Sequence, residues 1–104
     1  MNVDAAYVVI EEVFSSSFNL SYSDIKELCK SRIQNVDIFN KVFNLYEVVD
    51  EAAALYRGHA VKKEWLTMRG IVSQEDRRLF KLFYSRKCDK RASPSSYGVR
   101  YSLR

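Results

Sequence analysis

The feature that most limits how this chain can fold is a repeat of apolar side chains over residues 36–57. Phe39, Val42, Tyr46, Val49, Ala53 and Tyr56 follow one another at intervals of three and four. That spacing puts all six on one stripe of an α-helix, the seam along which helices pack. Val36, Phe43 and Leu45 widen the stripe, while Asp37, Lys41, Glu47, Asp50 and Glu51 fall on the outer face. Gly58 follows the last periodic position, where a left-handed residue stops a helix. A helix of this length must be covered. Its cover is either the rest of the chain, making it an internal spine, or a second copy, making the same six residues a homodimer interface.

The flanking segments supply helices for the first reading. Residues 4–14 offer Tyr7, Val8, Ile10, Val13 and Phe14 as an apolar face, with Asp4 as cap, and Ser15-Ser16-Ser17 ends the element. Ser21 and Asp24 match a capping box, which predicts a helix over about 22–32 burying Ile25, Leu28 and Cys29. Two short helices joined by a turn suggest a helix-turn-helix. However, the second offers few donors to base edges, only Lys26, Lys30 and Arg32 beside Asp24 and Glu27, so simple packing is preferred. Downstream, His59–Arg69 reads as a helix with Val61, Trp65, Leu66 and Met68 inward. Gly70 breaks it. Ser73 caps the next helix, whose first turn holds Glu75 and Asp76 and which buries Leu79, Phe80, Leu82 and Phe83 before ending near Asp89.

Three Gly and one Pro are too few for a turn-rich sheet protein. The expected fold is all-α: a single compact helical domain over residues 1–92, of about five helices around the 36–57 helix. A flexible basic tail, residues 93–104, follows it and carries Tyr97, Arg100, Tyr101 and Arg104.

Charge divides the chain in two. Residues 1–52 carry four basic and nine acidic side chains, and residues 53–104 carry thirteen and four. A basic half attracts phosphate-rich or acidic surfaces, and an acidic half orients the approach. The candidate contact residues are Lys62, Lys63, Arg69, Arg77, Arg78, Lys81, Arg86, Lys87, Lys90 and Arg91. Charge alone leaves nucleic acid and an acidic protein surface equally open as partners.

Catalysis has no support in the sequence. There is no glycine-rich phosphate loop, no nucleophile elbow and no His-x-x-x-His. The adjacent pairs Glu11-Glu12 and Asp50-Glu51 point to different sides of a helix. Cys29 and Cys88 are isolated and His59 is the one histidine, so no metal or cofactor is expected. Cys88 stands among Arg86, Lys87 and Lys90, which lower a thiol pKa, yet it has no base beside it. No apolar run is long enough to span a membrane, and no basic stretch precedes an apolar run at the N-terminus. The expected location is the reducing cytoplasm, with both thiols free.

Within residues 53–92, Tyr56-Arg57, Trp65-Leu66, the acidic pair Glu75-Asp76, Arg78 and Cys88 occur in an order that resembles the PerC-like family of small bacterial and phage transcriptional activators. The chain departs from that pattern at Gly58-His59, where Arg-Ala is expected. It also differs in its Arg86-Lys87 pair, which lies directly beside the Cys. The resemblance implies transcriptional regulation, through DNA or through the transcription apparatus. The alternative is an inhibitor that covers an acidic or nucleic-acid-binding surface of another protein.

Overall fold

A computed structural model describes residues 2–92, with side chains described as far as Asp89. It contains five α-helices: α1 (Val3–Ser16), α2 (Tyr22–Ile33), α3 (Val36–Tyr56), α4 (Lys63–Met68) and α5 (Gln74–Ala92). Among the described residues there is no strand, so the chain is all-α. No described helix is long and apolar enough to cross a membrane. The side chains of Lys90 and Arg91, and the tail from residue 93, lie outside the described residues.

Short polar side chains set four of the five helix starts. Asn2 Oδ1 accepts from the Ala5 N–H at 2.8 Å, Ser21 Oγ from Asp24 at 3.1 Å, Asn35 Oδ1 from Ile38 at 3.0 Å and Ser73 Oγ from Asp76 at 3.1 Å. Each satisfies a backbone donor that the first turn leaves unpaired. Asp4 is therefore not the cap of α1. Asn2 caps as well as Asp does and adopts the extended backbone first, which leaves Asp4 inside the first turn, where the helix dipole favours its carboxylate.

The described residues divide between Glu47 and Val48 into two compact units, and α3 contributes to both. In the first unit α1 packs on α2. Ala6, Ile10 and Val13 from α1, Ile25, Cys29 and Ile33 from α2, and Phe39, Val42 and Phe43 from α3 form one core. An aromatic cluster flanks it. Phe14 stacks on Tyr46 with centroids 4.7 Å apart, and Phe43 lies within 6.0 Å of Phe14, Tyr22 and Phe39. The Tyr22 hydroxyl donates to the Glu47 carboxylate. Burial raises the pKa of the Cys29 thiol, with Arg32 pulling the other way, so Cys29 acts as an apolar filler.

In the second unit Val48, Val49, Ala52 and Ala53 of α3, Leu66, Ile71, and Leu79, Phe80, Phe83 and Tyr84 of α5 are buried. Trp65 packs edge-on against Tyr56 with centroids 5.5 Å apart.

The expected helix from His59 forms only from Lys63. Helix α3 stops at Tyr56, and two successive residues are left-handed, Arg57 at φ 51° and Gly58 at φ 95°. A helix starting at His59 would offer the His59 carbonyl to the Lys63 N–H. That carbonyl instead accepts the Tyr84 hydroxyl, at 2.6 Å. Met68, Leu82 and Leu28 were expected inside and are exposed, Met68 to 80%. Met68 lies two residues beyond Leu66, and Leu82 two beyond Phe80, and residues so spaced do not share a helix face. Leu28 sits well off the stripe of Ile25, Cys29 and Ile33.

A candidate binding groove in the second unit

The groove begins with the backbone reversal after α3. Gly58 at φ 95° takes a conformation that other residues adopt only under strain. Tyr84, buried on α5, then holds the segment in place. Its hydroxyl accepts from the Gly58 N–H at 2.9 Å and donates to the His59 carbonyl at 2.6 Å. The Tyr84 ring stacks on Phe80 one turn earlier, with centroids 5.3 Å apart. Burial raises the pKa of Tyr84, opposed by the Gly58 N–H, so the hydroxyl keeps the proton it donates.

Arg77 fixes the opposite connection, between α4 and α5. Its Nε donates to the Ile71 carbonyl at 3.1 Å and its Nη2 to Thr67 Oγ1 at 2.8 Å. Thr67 in turn donates to the Lys63 carbonyl at 3.0 Å. Gly70, at φ 83°, makes the turn between the helices.

Between these fastenings lies a groove of about 700 Å³, lined by residues 58–61, Lys63, Leu66, and α5 from Gln74 to Ser85. Leu66, Phe80 and Tyr84 are buried in its floor and Val61 is half-buried. Lys63, Arg78 and Lys81 line it as exposed side chains, with Arg77 half-buried among them. Among the described residues Lys63, Arg78 and Lys81 enter no ion pair. This arrangement, an apolar floor beneath a cationic rim, suits an anionic partner that also carries apolar groups.

The ten expected contact residues thus fall into three groups. Lys63, Arg77, Arg78 and Lys81 come together at the groove, and the exposed Lys62 precedes α4. Arg69 pairs with Glu51 and lies over the Trp65 ring, 5.4 Å from its centroid. Lys87 pairs with Asp50 at 3.1 Å, and Arg86 lies 5.0 Å over Phe83. Lys90 and Arg91 fall outside the described side chains. The continuous patch is therefore smaller than the charge count suggests, because Asp50 and Glu51 take up two of its cations.

Tyr84 and the floor residue Val61 were not singled out as site residues from sequence. The available signal was the Phe80–Tyr84 spacing of four, which stacks the rings and sends a polar tip beyond them. Among the described residues no three His, Cys, Asp or Glu side chains gather as a metal site would require. No protein-family model, no curated protein and no solved structure matches this chain.

Proposed function

We propose that this chain is a small regulator that acts by binding, with the groove of the second unit as its working surface and transcription as its setting. The supporting observation is the gathering of Lys63, Arg77, Arg78 and Lys81 around one groove while Arg69 and Lys87 are held by carboxylates elsewhere. The setting rests on the resemblance of residues 53–92 to the PerC-like activators. In this reading the cations meet either the phosphates of duplex DNA or the carboxylates of a component of the transcription apparatus.

Phosphate contacts position a protein on DNA without reading sequence. If all four rim cations neutralise phosphates, affinity for random duplex should fall about a hundredfold between 50 and 200 mM salt, at roughly 0.9 counterions per contact. A gel shift across that salt range measures this. The variant R78E/K81E should abolish the shift, and an unaltered shift would overturn the groove assignment. Arg77 is a poor choice for the same test, because it also fastens Ile71 and Thr67.

The second reading, an inhibitor that covers an acidic or nucleic-acid-binding surface on another protein, draws support from the apolar floor, for which a phosphate backbone has no use. A homodimer through Phe39, Val42, Tyr46, Val49, Ala53 and Tyr56 draws little support. Four of those six are buried within the chain, and the two tyrosines are half-buried. Light scattering at twice 12.2 kDa would revive it.

A further inference from the structure

The composition of the groove narrows the choice of partner, on the reading that the groove is the working surface. Half-buried Val61 presents apolar surface over the edges of the buried Leu66, Phe80 and Tyr84, and Lys63, Arg78 and Lys81 stand exposed around it. A duplex would satisfy the cations and leave Val61 and the exposed edges of the floor in water. Burying that floor stabilises a complex only when the partner supplies apolar side chains, roughly 25 cal/mol for each Å² removed from water. The volume, about 700 Å³, has room for several such side chains. The groove is also held open by local bonds, with Tyr84 fixing Gly58 and His59 on one side and Arg77 fixing Ile71 and Thr67 on the other. A preformed groove avoids part of the ordering cost of binding.

We infer that the groove receives an acidic amphipathic segment of a partner protein. The apolar side chains of that segment enter the floor, and its carboxylates meet Lys63, Arg78 and Lys81 at the rim. This is the helix-in-groove mode of recognition, with charge setting the approach and apolar anchors holding the complex.

Three labelled probes test it by fluorescence anisotropy on the full chain. The first is a synthetic peptide of about 14 residues, four helical turns, with Leu at i, i+3, i+4 and i+7 positions and Glu elsewhere. The second replaces each Leu with Ser at unchanged charge, and the third is a random-sequence DNA duplex. The Leu/Glu peptide is expected to bind, R78E/K81E to weaken it roughly tenfold or more, and the Ser peptide to bind roughly tenfold or more weakly than its Leu parent. Because the Ser peptide changes only the probe, its result does not depend on how any protein variant folds. Equal binding of the Leu and Ser peptides would overturn the inference. Binding of the duplex alone, lost in R78E/K81E, would overturn it and keep the groove as the working surface. Failure of all three probes would overturn both.

Discussion

Both units pack aromatic rings on one another, but the second leaves a groove beside the stack. In the first, Phe14 and Tyr46 stack on each other and Phe43 meets Phe14 and two further rings, Tyr22 and Phe39, so the aromatic surface is spent on its own neighbours. In the second, Phe80 and Tyr84 stack at the floor of a groove. The difference originates in the backbone. Short connections join α1 to α2 and α2 to α3, and the helices close over their rings. After α3, two left-handed residues and four more outside any helix delay α4 to Lys63, and it reaches only Met68. A six-residue helix covers little, and the groove is what it leaves uncovered. A fold can therefore make a groove by shortening one helix, without a special motif.

The largest effect should come from the closed unit. Phe43 is 3% exposed and touches three rings and Lys26, whose amine lies 5.4 Å from its centroid. Phe43→Ala should cost about 3–5 kcal/mol, measured as a lower urea midpoint. Any folded F43A protein should still bind the Leu/Glu peptide as the parent does. A selective loss of binding at an unchanged midpoint would break the division of labour between the units.

Tyr84→Phe should act more gently and on the other unit. It removes two hydrogen bonds from a half-open segment, at about 1–2 kcal/mol in total. Its pH dependence separates it from a simple packing change. Below about pH 10 the hydroxyl is protonated whether the chain is folded or not, and its contribution is complete. Burial raises its pKa in the folded chain. As pH rises past the unfolded value, the unfolded chain therefore loses the proton first, and the contribution is lost through the folded value. The gap in stability between the parent and Y84F should narrow above about pH 10. A gap that stays constant would mean that folding does not raise the hydroxyl's pKa, and no gap at any pH would mean that Tyr84 contributes through its ring alone.

These two positions also show what was legible in the sequence. Phe43 belongs to the widened stripe of α3, and helical periodicity is enough to predict its burial. The Ser21 and Ser73 caps were equally plain, because a cap acts only on the next three residues. The 59–62 segment was not legible, since the hydroxyl that claims the His59 carbonyl comes from α5, the second helix after it. The extent of the basic surface failed for the same reason. Charge counting places Arg69 and Lys87 with the other cations, while Glu51 and Asp50, far upstream, hold them in the folded chain.

That pairing gives the smallest and sharpest test. Both members of the Arg69–Glu51 pair are substantially exposed, with side chains 44% and 39% accessible. Such pairs contribute at most about 1 kcal/mol, because solvent screens them and two long side chains must be ordered. Glu51→Gln keeps the shape, removes the charge and leaves Arg69 over the Trp65 ring. Stability should move by less than about 1 kcal/mol in chemical denaturation. Since Arg69 does not line the groove, affinity for the Leu/Glu peptide should stay within about twofold, a shift smaller than one surface pair supplies. A rise of about tenfold would mean that Glu51 normally masks a cation of the working surface. The first expectation treats the paired cations as scaffold and the unpaired ones as function, and E51Q is the substitution that tells the two apart.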